Sequence, residues 1–302
     1  MVPERFEQRL AARAQATTAT LEAVLGEATE DGETLRPGRL IAAMRHAALA
    51  GGKRLRPFLV LESAAMFGAE GDGVLLAAAA LECIHCYSLV HDDLPAMDND
   101  DLRRGRPTVH RAFDEATAIL AGDSLLTLGF DLASRPSIHP SPGIRAGLVQ
   151  LLARAAGAGG MAGGQMLDIQ AENTAIDAEA IERMQAMKTG ALIRAACEAG
   201  AMLGGADQAG IAALAEYSGA VGRAFQIADD LLDATSSAEA TGKNTGKDGK
   251  RGKATLVSLF DVEEARRTAI RRSDEAIAAL APFGDSAKWL IAAARFAVER
   301  SS

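Results

Sequence analysis

Residues 80–107, ALECIHCYSLVHDDLPAMDNDDLRRGRP, change abruptly from an apolar helical pattern to a run of charges. Pro95 does not fit inside a helix, so the helix is predicted to end near Asp92 and Asp93, with Asp98 returning toward them from a short bulge. Carboxylates at a helix C-terminus are opposed by the helix dipole and repel one another. A divalent cation would relieve both costs. Oxygen ligands with few protein contacts favour Mg²⁺, especially when phosphate oxygens complete its shell.

A second acid-rich stretch, FQIADDLLD, occupies residues 225–233. Asp229 and Asp233 are four residues apart and therefore share one helix face. Asp230 lies roughly 100° around the same helix. One such motif alone is typical of a solvated surface. Two of them, each on an otherwise apolar helix, favour a pair of metal-binding clusters.

The rest of the chain also has helical rather than strand periodicity. It has 302 residues, 48% of them hydrophobic, with one Trp and two Tyr. No shift in composition marks a domain boundary, although the Pro-containing segment 135–142 could serve as a linker. We therefore expect one all-α domain over residues 1–302. The predicted helices cover residues 3–28, 38–50, 55–68, 72–93, 109–133, 142–157, 160–171, 177–204, 208–234, 254–281 and 285–299.

Basic residues occur in compact sets that suit the binding of phosphate groups, because Arg and Lys are the side chains that hold phosphates. A single set is typical of a solvated surface. Together with two acid clusters, the sets indicate a diphosphate held between metal ions and cationic side chains. The sets lie at residues 51–57 (GGKRLRP), 103–106 (RRGR), 188–190 (KTG) and 242–253.

Several other functions are disfavoured by the overall properties of the sequence. A net charge of −8 argues against nucleic-acid binding. The N-terminus lacks the apolar core of a signal peptide, and no uninterrupted apolar run approaches about 18 residues, so no membrane span and a cytoplasmic location are expected. Cys83 and Cys86 form a CxxC spacing within a helix and without a second ligand pair. Two buried thiols are favoured there over a zinc site.

Six segments carry a family resemblance: GGKRLRP, HDDLPAMDNDDLRRGRPTVH, GGQMLDI, MKTGALI, FQIADDLLD and GKNTGKDGKRGKAT. In this order they resemble the trans-prenyl diphosphate synthases (the polyprenyl synthetase family), and within it the bacterial farnesyl diphosphate synthases. The resemblance implies an all-α isoprenoid synthase-type helical bundle around a deep central cavity, in a homodimer. It implies head-to-tail condensation of isopentenyl diphosphate with dimethylallyl or geranyl diphosphate to give farnesyl diphosphate (C15). It also implies three Mg²⁺ ions, with Mn²⁺ as an alternative, held by acid motifs that face each other across the cavity mouth.

The resemblance assigns roles residue by residue. Asp92 and Asp98 are expected to bind two metals with support from Asp93, and Asp229 a third with help from Asp230 and Asp233. The residues matched to the allylic diphosphate are Arg103, Lys188, Thr189, Gln226, Lys243 and Lys253. Those matched to isopentenyl diphosphate are Lys53, Arg56, His85 and Arg104, and Gly52 is also expected to bind substrate. Gln165 and Asp168 resemble pocket residues that support the metals or the cation. Those expected to act in catalysis are Asp92, Asp93, Asp98, Arg103, Lys188, Asp229 and Lys243.

Product length is assigned to the helix that carries Asp92. Tyr87 lies five residues before Asp92, about 7.5 Å deeper along the helix, with Ser88 beside it. In the resembled family an aromatic residue here is associated with C15 products, and small residues with longer ones. A geranylgeranyl (C20) or other short-chain synthase is therefore the nearest alternative. A terpene cyclase or a non-catalytic synthase subunit is less favoured, because both acid motifs are intact.

Overall fold

Residues 4–172, 174, 176–235 and 262–299 are described by a computed structural model of the chain. Within them α-helices form almost all of the secondary structure, which confirms the predicted all-α class. The helices are α1 (Glu4–Val24), α2 (Gly38–Ala48), α3 (Leu55–Met66), α4 (Asp72–Asp92), α5 (Val109–Ala112), α6 (Glu115–Ser134), α7 (Pro142–Ala156), α8 (Met161–Ala171), α9 (Ala178–Gln185), α10 (Ala191–Gly204), α11 (Gln208–Thr235), α12 (Val262–Leu280) and α13 (Lys288–Glu299).

Three irregular elements depart from the predicted helices. A π-helical turn, Ala186–Gly190, interrupts the helix predicted over residues 177–204. A 3₁₀ segment, Ala281–Ala287, precedes α13, so that helix begins at Lys288 rather than 285. Two-residue strands β1 (Leu102–Arg103) and β2 (Arg106–Pro107) form a small hairpin, although no strand was predicted. Residues 254–261 of the predicted helix 254–281 lie outside the described residues.

The single helix predicted over residues 109–133 is wrong, because Asp114 starts a new helix. The backbone of Asp114 is extended, and its carboxylate accepts a hydrogen bond from the Thr117 backbone N–H at 2.7 Å. This is an N-cap, which satisfies one of the free N–H groups at a helix start. That hydrogen bond, together with the ion pair from Arg39 at 2.5 Å, lowers the pKa of Asp114 to about 2.

One compact unit consists of Gln8–Leu61 and Glu70–Val149, and about half of the residues of α4 are buried in it. Helix α4 packs against α6. Gly129 of α6 makes room for this packing, because a Cβ there would lie 2.7 Å from a side-chain carbon of Ile84. The acidic C-terminus of α4 lies beside the hairpin, because Arg103 of β1 contacts Asp93.

Helices α4 and α6 are also long and apolar enough to cross a membrane, judged by length and composition alone. In α4, 61% of the most apolar window is buried inside the protein, and in α6 39% is. The buried core helix of a folded domain has the same length and composition. These two helices are therefore weak grounds for a membrane span.

The other compact unit consists of Met1–Glu7, Glu62–Ala69 and Gln150–Ser302. Its long helix α11 packs along α12. A small apolar cluster, formed by Ile181, Ile227, Ala265 and Ala269, lies in its core. The hydroxyl of the fully buried Tyr217 donates a hydrogen bond to the Leu290 carbonyl at 2.8 Å, which links α11 to α13. Ile227 lies two residues before Asp229, so this packing positions the part of α11 that carries the acid motif.

Candidate active site

The acidic loop after α4 folds back on the end of the helix that it leaves. Asp92 is the last residue of α4 and Asp93 caps it. The Asp98 backbone N–H donates to the Asp92 carbonyl at 2.7 Å, and the Asp100 N–H donates to the Asp93 carbonyl at 3.1 Å. The predicted return of Asp98 is therefore confirmed. The loop also satisfies carbonyl groups that a helix C-terminus leaves without partners.

The adjacent aspartates Asp92 and Asp93 have different surroundings. Asp93 is buried and accepts a hydrogen bond from Arg103 Nε at 3.0 Å, with a second, shorter contact from the same guanidinium. Burial raises the pKa of the Asp93 carboxyl, and the hydrogen bonds from Arg103 oppose that shift. Asp92 and Asp98 are only half-buried. Solvent therefore reaches the carboxylates of Asp92 and Asp98, whereas Asp93 anchors an arginine.

The β1–β2 hairpin carries the arginines that follow the acidic run. Its two turn residues, Arg104 and Gly105, both have positive φ angles of 53° and 73°. Two positive φ angles are what a tight two-residue hairpin turn requires. Arg103 contacts Asp93, whereas Arg104 donates a hydrogen bond to the Gly51 carbonyl. This hairpin was not predicted from the sequence, in which the Arg-Gly pair is the local signal for a turn.

The loop at residues 51–54 lies against Arg104. Gly52 has a φ of 111°, and a Cβ on it would lie 2.7 Å from the Arg104 guanidinium. Only glycine permits both this backbone conformation and this close approach. The side chain of Lys53 is exposed, and that of Arg56 is half-buried. Gly52, Lys53 and Arg104, all expected to bind substrate, are thus brought to one loop cluster.

His85 joins this cluster from α4. Its Nε2 lies 3.3 Å from Arg56 Nη1. Burial, followed by the positive charge of Arg56, lowers the pKa of His85 well below its usual range. The imidazole is therefore neutral at physiological pH, and its Nε2 accepts the hydrogen bond from Arg56.

The two residues assigned to product length lie one turn before the acidic end of α4. The ring of Tyr87 is half-buried and packs edge-on against His91, with 5.8 Å between ring centres. The Ser88 hydroxyl donates to the His85 carbonyl at 2.8 Å. Burial raises the pKa of the Tyr87 hydroxyl, and the Asp92 carboxylate adds to this effect. His91 in turn contacts the Ile119 carbonyl of α6 at 3.1 Å.

A pocket in the same unit lies beside the hairpin. Its wall contains the charged side chains of Asp93, Arg103 and Arg104 together with the apolar Leu89 and Val90. The pocket places both arginines next to the end of α4.

In the other unit, Lys188 lies in the π-helical turn and is paired with α8. Its Nζ donates to Asp168 Oδ2 at 2.6 Å. Gly164 permits this pairing, because a Cβ on it would lie 2.2 Å from the Lys188 backbone nitrogen. Nearby, the buried Gln165 Oε1 has no hydrogen-bond partner among the described residues. π-Helical turns inside α-helices frequently occur at functional sites.

Thr189, in the same turn, starts a chain of hydrogen bonds that reaches the second acid motif. The Thr189 hydroxyl donates to Gln226 Oε1 at 2.8 Å, and Gln226 Nε2 donates to Asp230 Oδ1 at 2.8 Å. Gln185 Nε2 donates to the other oxygen of Asp230 at 3.0 Å. Asp230 is buried, whereas Asp229 is half-buried. Of the two, Asp229 is therefore the one that solvent reaches.

Three residues assigned from sequence cannot be placed. Lys243, Lys253 and the side chain of Asp233 lie outside the described residues.

The accessible carboxylates fit a hard cation in their chemistry. Within the described part of the chain, no group of three or more His, Cys, Asp or Glu side chains is arranged to hold a metal by itself. Asp92, Asp98 and Asp229 supply only oxygen atoms and few ligands per cluster. That combination suits Mg²⁺, which binds one or two carboxylates and takes its other ligands from water and phosphate. The donor set therefore fits Mg²⁺ bound together with a diphosphate.

The all-helical fold, with aspartates at helix ends and cations beside them, defines the class of helical isoprenoid synthases. The chain belongs to the polyprenyl synthetase family, whose sequence model matches residues 38–285. It is 46% identical over 239 residues to farnesyl diphosphate synthase of Escherichia coli, covering 78% of this chain and 80% of that protein.

Two solved structures have a similar fold. An FPP/GFPP synthase from Zymomonas mobilis is 42% identical, with a TM-score of 0.86 over 97% of this chain and 99% of that one. A geranylgeranyl pyrophosphate synthetase from Pyrococcus horikoshii is 31% identical, with a TM-score of 0.87 over 99% of both chains. The family predicted from the motifs is therefore confirmed. These relatives share one fold, but their names give products of different length.

Proposed function

We propose that this protein is a prenyltransferase that joins isopentenyl diphosphate to dimethylallyl or geranyl diphosphate, producing farnesyl diphosphate and free diphosphate. The observation that carries this proposal is the division of the hairpin arginines. Arg103 is held at the acid motif through Asp93, whereas Arg104 lies against the loop that carries Gly52 and Lys53. Two adjacent arginines held in different places suit a reaction that uses two diphosphates.

The diphosphate of isopentenyl diphosphate is assigned to the cluster around Arg104. The exposed Lys53 and the half-buried Arg56 supply positive charge there, and Gly52 allows the backbone to approach closely. The neutral His85 orients Arg56 by accepting its hydrogen bond. This substrate keeps its diphosphate throughout the reaction, so its site needs cations and no leaving-group activation.

The allylic diphosphate is assigned to Arg103, Lys188, Thr189 and Gln226, with Lys243 and Lys253 added from the family motif. Asp92 and Asp98 would hold Mg²⁺ on this diphosphate from the first acid motif, supported by Asp93. Asp229 would do so from the second, aided by Asp233 from the family motif and by Asp230, which is held by amides. When bound, Mg²⁺ or Mn²⁺ supplies charge stabilisation for the departing diphosphate. We further propose that residues 1–302 form one domain. Both acid motifs then act in the same reaction.

The reaction needs no nucleophilic side chain. The allylic C–O bond breaks, and the resulting carbocation is attacked by the double bond of isopentenyl diphosphate. A proton then leaves to the released diphosphate. Arg103 and Lys188 stabilise the negative charge that develops on the leaving group, since they are held in place beforehand by Asp93 and Asp168. The reaction requires a site that excludes water, which would otherwise capture the carbocation.

The C15 product is supported by Tyr87, whose bulky ring lies about one and a half turns behind Asp92. A geranylgeranyl product is the alternative, since one similar structure carries that name. A terpene cyclase is less favoured because the second motif is DDLLD and the Lys53/Arg56 pair is present. A non-catalytic subunit is less favoured because the accessible aspartates are retained.

The protein is further proposed to work in the cytoplasm as a homodimer, without nucleic-acid partners. The acidic net charge of −8 supports the last point.

One assay tests the proposed reaction. Purified protein is incubated with Mg²⁺, labelled isopentenyl diphosphate and each allylic starter separately, and the products are sized by chromatography. A C15 main product is expected. A C20 main product would favour the geranylgeranyl alternative. The absence of any prenyl product would overturn the proposal that the protein is a prenyltransferase.

A further inference from the structure

Arg54 differs from the basic residues on either side of it. It lies between Lys53 and Arg56, yet it is only 4% exposed. Its φ of 49° places it in the left-handed region, which side-chain-bearing residues seldom adopt. This backbone conformation turns the Arg54 side chain inward, while the side chain of Lys53 is exposed. The sequence resemblance assigns Arg54 no role.

The Arg54 guanidinium joins three segments of one compact unit. Its Nη1 donates to Glu82 Oε1 on α4 at 2.5 Å. Its Nη2 donates to the Ala48 carbonyl at the end of α2. The side chains of Arg54 and Glu82 are 1% and 2% exposed. One buried ion pair thus links the end of α2, the 51–54 loop and the middle of α4.

Stability alone is a poor explanation for such a pair. Removing two charges from water costs free energy that the ion pair regains only with good geometry and additional hydrogen bonds. Apolar replacements of similar size are often neutral or stabilising. The geometry that the pair imposes is therefore the property to consider.

That geometry concerns the cluster assigned to isopentenyl diphosphate. Glu82 precedes His85 by three residues on α4, so the two lie on neighbouring parts of one helix face. Gly51 and Gly52, with φ angles of 79° and 111°, give the loop little intrinsic preference for one shape. The pair clamps this loop to the helix that carries His85.

We propose that Arg54 and Glu82 are positioning residues for the isopentenyl diphosphate site. They set Lys53 and Arg56 against His85 without contacting substrate themselves. This inference rests on the proposed function, because it assumes that these three residues bind that diphosphate.

The test replaces the pair by apolar residues of similar size, in the double variant Arg54→Met/Glu82→Leu. Its melting temperature is expected to stay near that of the wild type. The KM for isopentenyl diphosphate should rise about tenfold or more, since small misplacements of binding groups are costly. The KM for the allylic substrate should change less than about twofold, and kcat at saturation should be largely retained. Arg54→Lys, which keeps the charge but loses the forked contact, should raise the same KM to a smaller extent.

Leu132→Ala is the matched control, because Leu132 is fully buried in α6 of the same unit and lies outside the loop. It should lower the melting temperature without changing the ratio of the two KM values. Unchanged KM for isopentenyl diphosphate in both Arg54 variants would overturn the inference. So would equal changes in both KM values, or a control that shows the same selective rise. If the wild type makes no prenyl product, the proposed function fails instead, and the two failures are therefore distinguishable.

Discussion

At the scale of single residues, accessibility separates the aspartates proposed as metal ligands from those proposed to support them. Asp92 and Asp229 are half-buried, whereas their neighbours Asp93 and Asp230 are buried and hydrogen-bonded to protein groups. Asp92→Asn and Asp229→Asn are each expected to lower kcat by about 10²–10³-fold, because each removes charge that would hold a cation on the leaving group. Steady-state assays with both substrates measure this loss.

Asp101→Asn is the matched control for these changes. It removes the same charge from the loop that follows Asp92, but Asp101 is exposed and pairs with Arg111 at 2.6 Å. Its kcat should stay within about twofold of the wild type, since exposed ion pairs contribute little. Equal losses in all three variants would mean that general charge, rather than metal binding, is responsible.

The second prediction at this scale concerns Tyr87 and the length of the product. Tyr87→Ala removes a ring that lies about one and a half turns behind Asp92, and it should shift the main product from C15 to longer chains. Chromatographic sizing of the products reports the shift. Tyr87→Phe keeps the ring and should keep the C15 product. A C15 product from Tyr87→Ala would remove Tyr87 from control of product length.

At the scale of elements, the packing of α8 on the π-helical turn positions Lys188. Gly164→Ala would place a Cβ 2.2 Å from the Lys188 backbone nitrogen, so either the turn or α8 must move. We expect a loss of about 1–3 kcal/mol of unfolding free energy and a clear fall in kcat, because Lys188 is displaced. Denaturant unfolding and steady-state kinetics measure the two effects.

Gly159→Ala is the control for this element. It adds the same methyl group where no atom lies within 4 Å, and its φ angle is not positive. Stability and kcat should therefore remain close to those of the wild type. If Gly164→Ala behaves in the same way, the close approach of α8 has no role in placing Lys188.

At the scale of the whole molecule, the proposed reaction depends on a divalent cation as well as on the protein's own side chains. Asp92, Asp98 and Asp229 supply few oxygen ligands, so in the proposed reaction the cation takes its remaining ligands from the diphosphate and water. A chelator should therefore abolish prenyl transfer without unfolding the protein, and added Mg²⁺ should restore it. Activity and circular dichroism recorded on the same sample test this. Turnover that persists in excess chelator would contradict the metal assignment.

Some features of the site could be predicted from short-range rules. Pro95 ends α4, so Asp92 had to lie at a helix end and Asp98 had to follow in a turn, as the backbone hydrogen bond confirms. The start of α6 could also have been predicted, because Asp is a preferred N-cap residue and Asp114 accepts the hydrogen bond from the Thr117 backbone N–H. Helical periodicity continued across this point and concealed the break.

Other features depended on partners that are distant in sequence. Lys53 and Arg54 are adjacent basic residues with the same local context, yet one is exposed and the other is buried on Glu82, 28 residues later. Similarly, the hydrogen bonds of Asp230 come partly from Gln185, 45 residues earlier. Residue type and spacing carry no information about which of two neighbouring charges finds such a partner.

The sequence by itself therefore determined the family, the all-α class and the order of the motifs, because helix periodicity, proline and local spacing act over a few residues. Only the tertiary structure decided which charges solvent reaches and which are buried against a partner. It buried Asp93 on Arg103, held Arg104 at Gly51 and turned Arg54 into the core. The physical reason is that a buried charge requires a partner in three dimensions, and folding alone selects that partner.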